Sequence, residues 1–447
     1  MNNLKVGFSK GNINPPMGIQ IRGYFKERLA EGILDDIEVV ALAIQSGETK
    51  TLLITVDHCG IEQRLTDKFR KIASASSGVH EDNIFISATH SHTCPQMLFE
   101  TEDELVTTYT EFVGSRIADV SKFAVDDLKD AKMGYGKGSA PNVAFIRRYL
   151  MKDGSIKTNP GVNNPDIVRP VGDIDESVNV LRFDREDAET VVFVNFGNHP
   201  DVVGGNLISG DWPGLLRRDV EKILDNTKCI FFNGAQGDIN HVNVHPKEGD
   251  LNGMFMDFDD VSRGYAHAEY IARVVTGGVL QAYDKVNYVD IDAIYSKQEV
   301  ISLPSNRPDP KDLPEAHRIN DLHLAGRDAE LPYEGMMLTT IVAEAGRMVR
   351  LENGPDAFDM RLSGLAIGPV AIIGIPGEPF FGIGAGLKKT EGFDMIIPCC
   401  LTNGSEGYFP MQDSYDEGGY EARSSRFKAG VAELIIEEGQ KLLKNIK

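Results

Sequence analysis

The first ninety residues read as short apolar runs divided by turn residues. Val39-Val40-Ala41-Leu42-Ala43-Ile44 and Thr51-Leu52-Leu53-Ile54-Thr55-Val56 flank Ser46-Gly47-Glu48-Thr49. Two such runs around a glycine-bearing turn predict a hairpin. A helix around Leu65 to Ala75 follows, then an apolar run from Ile84 that leads to His90 and His92. Apolar positions recur at helical spacing from Asp103 to Leu128, which predicts a long amphipathic helix. Residues 137–178 lose this order. Pro141, Pro160, Pro165 and Pro170 interrupt them, and a long irregular stretch inside a compact domain is often functional.

Regular patterns return with strand-like runs at 190–196 and 229–232 and helical ones at 213–224 and 265–283. Residues 246–261 are polar and acidic and read as a surface insertion, and 288–302 are strand-like. Two helices behind Pro304, Pro308, Pro310 and Pro314 make 303–355 a candidate lid or small subdomain. Strands at Val370–Ile375 and Met395–Pro398, a helix after Pro379 and a last helix from Ser425 to Leu443 close the chain. The expected class is α/β, with a mixed sheet core and helices on its faces.

Composition narrows the function more than the fold. The 447 residues are 41% hydrophobic and 25% charged, an ordinary soluble composition. A formal net charge of -21 argues against nucleic acid and anionic membranes, both of which call for basic patches. The five cysteines form no CxxC pair, as expected of reduced thiols in a reducing compartment. Cys399 and Cys400 sit in an apolar run and read as packing. Cys94, just after the histidines, is a candidate for lining a cleft. The N-terminus lacks the apolar stretch of a signal peptide, and no run reaches the ~18 apolar residues of a membrane span. The expectation is a cytoplasmic protein without a membrane anchor, acting on a small molecule.

Several apolar runs end in residues of catalytic type. Ile84-Phe85-Ile86 leads to His90 and His92, and Val191 to Asn198 leads to His199. Ile230 to Gly234 leads to Asp238 and Asn240, Ala371 to Gly377 leads to Glu378, and Met395-Ile396-Ile397 leads to Asn403, Glu406 and Tyr408. Ligands of open α/β sheets bind beyond the carboxyl ends of strands, so five such ends suggest one cleft. In extended backbone His90 and His92 project to one side. His199 precedes Pro200, which favours an extended conformation, and Pro379 suits the first position of a helix, which would place Glu378 near its N-cap.

His90, His199 and Glu378 supply two imidazoles and a carboxylate, a composition known for one catalytic Zn2+ with a position left for water. His92 is the candidate proton carrier. Arg147, Tyr408 or Tyr415 is placed to steady an oxyanion, and Asp238, Asn240 and Cys94 are pocket candidates. Each residue also has an ordinary reading: a satisfied core histidine, a capping carboxylate, an ion-paired arginine. Joint occurrence at strand ends tips the balance. Asp57, Asp211 and Asp238 offer a second reading, a two-metal lyase, isomerase or phosphoester hydrolase. A third is a non-catalytic metabolite-binding protein. The G-x-S-x-G elbow, the P-loop and H-E-x-x-H are absent from the sequence.

Ala88-Thr89-His90-Ser91-His92, Phe196-Gly197-Asn198-His199-Pro200, Gly237-Asp238-Ile239-Asn240, Pro376-Gly377-Glu378 and Asn403 through Tyr420-Glu421 occur in that order across most of the chain. Together they resemble the neutral, non-lysosomal ceramidases, zinc amidohydrolases that cleave N-acylsphingosine. The resemblance implies zinc on His90, His199 and Glu378, catalysis by His92, substrate contact by Arg147 and a tyrosine from the 408–415 segment. It implies a catalytic domain spanning 1–447, without the family's C-terminal immunoglobulin-like domain. The chain departs from the pattern at Asn240, where the family has serine, and at Thr93-Cys94-Pro95, where it has Ser-Gly-Pro. Ser405 stands where the family has a tyrosine. These departures and the missing secretion signal point to a smaller amide, ester or lactone rather than ceramide.

Overall fold

The computed structural model describes residues 4–446. Nine strands form one large sheet. Across it run Thr227–Asn233, Thr190–Phe196, Ser177–Arg185, Lys129–Ser139, Leu4–Asn12, Glu38–Ser46, Thr49–Val56 and Ile84–Ala88, with Asn287–Val289 paired onto Lys129–Ser139. Only the outermost pairs are parallel, Thr190–Phe196 with Thr227–Asn233 and Thr49–Val56 with Ile84–Ala88. A second sheet orders Ile294–Pro304, Ala357–Ile367, Val370–Gly374 and Met395–Cys399, the last two parallel.

Alternation along the strands explains how the layers stack. Val39, Ala41 and Ala43 enter a core with Leu65 and Phe69 of helix Gln63–Ser77 and Val113 and Ile117 of helix Glu104–Asp126. Val40, Leu42 and Ile44 point the other way, against Leu365, Ile367, Ile372 and Ile397 of the second sheet. At the far edge, Val192, Val194 and Phe196 pack on helices Asp211–Ile223 and Tyr265–Tyr283, while Val191 and Phe193 join the core between the sheets. Helices Phe381–Leu387 and Val431–Lys444 cover the outer face of the second sheet through Ile383, Leu387, Ile435 and Leu442. The result is a helix–sheet–sheet–helix stack, in which each fully buried Phe or Ile contributes about 1.5–3 kcal/mol.

The expected α/β class and mixed pairing are observed, with the core divided between two sheets. Residues 137–178 are not a long loop: they hold the end of one long strand, the start of another and a small sheet of Arg148–Met151, Ile156–Thr158 and Ile167–Pro170. The last helix begins at Val431 rather than Ser425. Acidic residues of 246–261 do more than face solvent, since Asp257 and Asp259 both grip Arg263. Helices Leu313–Leu324 and Gly335–Leu351 pack on each other through Ile319, Val342 and Ala345. Arg347 ties this hairpin down by donating to the carbonyls of Asn306 and Arg423 at 2.6 and 2.9 Å.

The two sheets are stitched where the edge strands end. Asn403 N donates to Ile86 O at 2.8 Å, its Oδ1 accepts from Ile86 N at 2.9 Å, and Cys400 N donates to Asn233 O at 3.0 Å. These bonds bring the exits of three parallel edge strands into one place.

Candidate metal centre

His90 and His92 leave the fully buried strand Ile84–Ala88. They do not project as neighbours on extended backbone. His90 has φ 78, in the left-handed region that few L residues occupy. Bonds from His90 N to His58 O (2.9 Å) and from His92 N to Pro200 O (3.1 Å) hold the turn. The turn swings the two rings together, with Nε2 atoms 3.2 Å apart. Backbone strain of this kind persists where the surroundings enforce it, commonly at functional sites.

His199 follows Thr190–Phe196 at the opposite end of the sheet, and its Nε2 lies 3.0 Å from that of His90. Glu378 comes from the second sheet. It is not a helix cap: Phe380 is the N-cap of Phe381–Leu387. Glu378–Pro379 instead pairs in parallel with Tyr408–Phe409, and Glu378 N donates to Gly407 O at 2.8 Å. Gly377 permits this approach, because a Cβ there would meet Phe409 at 2.4 Å and Gly407 O at 2.6 Å. The carboxylate Oε2 then stands 3.2 Å from His90 Nε2 and 3.6 Å from His199 Nε2.

This convergence fits a cation. His90 Nδ1 faces the Cys59 carbonyl, and His199 Nδ1 lies 3.3 Å from Gln236 O. A ring nitrogen facing a carbonyl carries the proton, so in neutral rings both Nε2 atoms present lone pairs. They point toward each other and toward a carboxylate oxygen that is buried and accepts no hydrogen bond. Acceptors crowded without a donor repel, and a positive ion among them removes the conflict. Backbone carbonyls that fix the outer nitrogens are the usual support of histidine ligands.

Where no cation occupies that point, a proton on His90 takes its place beside the carboxylate. Burial opposes charge on His90, yet Glu378 and the Cys59 thiol raise its pKa well above the usual imidazole range. Burial opposes ionisation of Glu378 as well, but His90 and Arg147 hold it below the usual carboxylate range. His199 is pushed well down, by burial and then by Arg147 and His90.

Sequence reasoning missed several members. Cys59 Sγ lies 3.9 Å from His90 Nδ1 and, with His90 and His92, completes a second buried set of ligand-type atoms. Burial would raise this thiol, but His92 and His90 lower it to about 5. Asp201 sits 3.6 Å from His92 Nδ1. Asp201 is itself gripped by Arg263 at 2.8 and 2.9 Å and by the Tyr24 hydroxyl at 2.5 Å. Cys59 follows the strand Thr49–Val56, which runs parallel beside Ile84–Ala88. The strand-end rule that found His90 therefore applies to Cys59 too. Asp201 lies two residues beyond His199.

Cys59, His90, Glu378, Tyr408 and Tyr420 line a cleft of about 510 Å³, one wall of which is the helix Gly335–Leu351. Arg147 stacks over the Tyr408 ring at 5.3 Å and pairs with the fully buried Glu421 at 2.6 Å, while Nη2 donates to Gly237 O. Four candidates stand elsewhere. The Tyr415 hydroxyl donates to Phe427 O at 2.8 Å, among the packing of the last helix. Asp238 accepts from Phe381 N at 2.7 Å, and burial raises its carboxyl to about 6. Asn240 bridges Asn159 and Val242. Cys94 is wholly buried in the first core, its thiol on Ser209 O. The acidic trio does not assemble into a metal site. Asp57 pairs with Arg217 at 2.6 Å, and Asp211 accepts the amides of Val202, Val203 and Trp212. Asp238 is held as described.

No family model matches the chain, and no curated protein matches it in sequence. Solved structures do. Neutral ceramidase from Pseudomonas aeruginosa superposes with a TM-score of 0.73 at 16% identity, over 100% of this chain and 75% of that one. The chain has the neutral ceramidase fold. A second neighbour, a ceramidase complexed with C2, gives 0.70 at 14% identity over 100% and 76%. The order of motifs from His90 to Tyr408 thus runs through a ceramidase-like scaffold along its whole length.

Proposed function

We propose that the protein is a zinc-dependent hydrolase of an acyl C–N or C–O bond, in an amide, ester or lactone of small size. The observation that carries this reading is the meeting of His90 Nε2, His199 Nε2 and the unpartnered Glu378 Oε2 within 3.0–3.6 Å, at the floor of a cleft. A zinc ion bound by these residues supplies Lewis acidity and lowers the pKa of water toward ~7. His92 faces the same point through Nε2 and is backed by Asp201, so it takes up and returns the proton that moves between water and leaving group. Tyr408, beside Glu378 and held from behind by Arg147, presents its hydroxyl to the carbonyl oxygen as negative charge develops. The apolar side of the cleft, with Phe25, Leu351 and Phe358, accommodates an acyl chain.

The neighbours' identity as ceramidases supports acyl-amide chemistry. All five cysteines are free and buried, which suits a reducing compartment such as the cytoplasm. No helix among the described residues is long and apolar enough to cross a membrane.

Metal analysis of the purified protein, combined with a panel of N-acyl, ester and lactone substrates, tests the reading. About one zinc per chain and hydrolysis abolished by chelation are expected, with both metal and activity lost in His90→Ala and His199→Ala. Variants that lose activity but keep their metal would refute the ligand set.

A further inference from the structure

The cleft has a charge opposite to that of the molecule. Arg22, Arg347, Arg350 and Arg426 all line it, against only two carboxylates, Glu378 and Glu406. One of these, Glu406, is already paired with Arg426 at 2.8 Å. The chain as a whole carries 67 acidic and 46 basic residues. Several buried arginines elsewhere are neutralised, Arg217 by Asp57, Arg147 by Glu421, and Arg263 by Asp201, Asp257 and Asp259, while Arg28 spends its guanidinium on three carbonyls. In the cleft the pattern breaks. The buried Arg347 donates only to two carbonyls, and among the described residues the guanidinium groups of the half-buried Arg22 and the exposed Arg350 have neither an ion pair nor a hydrogen bond.

The four come from separate places. Arg22 follows the bridge of Ile21 to Pro95, and its amide is fixed on Cys94 O at 3.0 Å. Arg347 and Arg350 stand three apart on one helix, a spacing that shares a face. Arg426 is positioned by stacking over Phe358 at 5.4 Å and by the fully buried Phe427 after it. Burial lowers Arg350, and Arg426 lowers it further. Gathering like charges in a partly buried cleft is unfavourable unless an anion shares the space. Guanidinium groups suit planar carboxylates and phosphates, which they grip through paired N–H donors.

We propose that the cleft takes a substrate bearing an anionic carboxylate or phosphate group, held by Arg350 and Arg22 with Arg347 and Arg426 beside them. The acyl bond of that substrate lies in the same cleft, at the His90–Glu378 end. This rests on the hydrolytic reading above for the bond that is cut, but the anion preference is measurable without turnover.

Calorimetric titration of the full-length protein near neutral pH tests it, in a His92→Ala background that slows hydrolysis by about 10²–10⁴. The probes are N-hexanoylglycine, its uncharged primary amide, and the aminomethylphosphonate analogue. At least one anion is expected to bind about tenfold or more tighter than the amide. A stronger phosphonate points to a phosphate-bearing substrate and a stronger carboxylate to an acylamino acid, and either supports the proposal. Arg350→Ala and Arg22→Ala remove groups with no partner among the described residues, so both are expected to fold and to erase most of the preference for anion over amide. Equal binding of all three probes, binding of none, or a preference that survives both substitutions overturns it. Should the preference hold while no acyl substrate is cut by the parent protein, the hydrolytic reading fails and the anion site stands. Arginine-independent hydrolysis of neutral amides gives the reverse.

Discussion

At the scale of single residues, the centre as proposed separates groups that would hold a cation from one that would move a proton. His90, His199 and Glu378 meet at a point, whereas His92 touches His90 on one side and leans on Asp201 with its other nitrogen. His92→Ala is therefore expected to keep the full metal content while kcat falls by about 10²–10⁴. Metal analysis beside steady-state kinetics checks this, and a variant that also loses its metal would make His92 a ligand. That these residues meet was largely legible in the sequence, because histidine and glutamate after apolar runs mark strand ends. What could not be read was the path of the backbone. The left-handed turn at His90 has no glycine to announce it, the residue that most readily takes positive φ. Cys59 was passed over for a related reason. Of two cysteines near strand ends, Cys94 lies closer to the histidines in sequence, but the chain folds it inward onto Ser209 while Cys59 faces the cleft.

At the scale of elements, the short parallel bridge between Glu378–Pro379 and Tyr408–Phe409 sets the register of the Glu378 carboxylate against the tyrosine. Gly237 abuts its other side: a Cβ there would lie 2.5 Å from Glu378 O and 3.0 Å from Pro379 O. Both neighbours are backbone and cannot swing aside. Gly237→Ala is expected to cost about 1–3 kcal/mol and to lower zinc affinity by at least about tenfold, seen as a melting temperature that zinc no longer raises. Gly277→Ala, in helix Tyr265–Tyr283 with open space at its Cβ, serves as the comparison and is expected to be neutral or slightly stabilising. Glycine also explains the strand that periodicity failed to reveal. Lys129–Ser139 carries Gly134, Gly136 and Gly138 on one face, where a side chain at Gly134 would collide with Val286 and one at Gly138 with Gly278 O of the helix above. Residues that look like loop formers are there the flat bed on which a helix lies. The long amphipathic helix near 104–126 was plain from its period, although it too lies close on a strand, at Gly7.

At the scale of the whole molecule, the sequence shows strands with both faces apolar but not which sheet each joins, because a doubly buried run carries no mark of its partner. Two sheets face to face have a further consequence: polar groups at their margins are cut off from water. His58 and His241 are such groups. Burial, with Arg22 adding, drops His58 to about 3, and burial, with His267 adding, drops His241 to about 4. His241 Nε2 donates to Ser262 O at 2.8 Å and His58 Nδ1 accepts from Gly60 N at 3.0 Å, bonds that suit neutral rings. In the unfolded chain both titrate near 6.5. Above that pH neither state is protonated at these sites and stability is full. Below it the unfolded chain gains protons that the folded one refuses, so stability falls as pH drops from about 6.5 toward 4. At pH 5 each ring is expected to account for about 2 kcal/mol of that loss. Carboxylates and the metal ligands titrate as well, so the informative quantity is a difference. Urea unfolding of chelator-treated protein near pH 7.5 and near pH 5 gives the parent's loss, and His241→Asn is expected to lose about 2 kcal/mol less between the same two points. A variant that declines as steeply as the parent would mean that His241 can charge in place, and that the layer edge admits water or a counter-ion there.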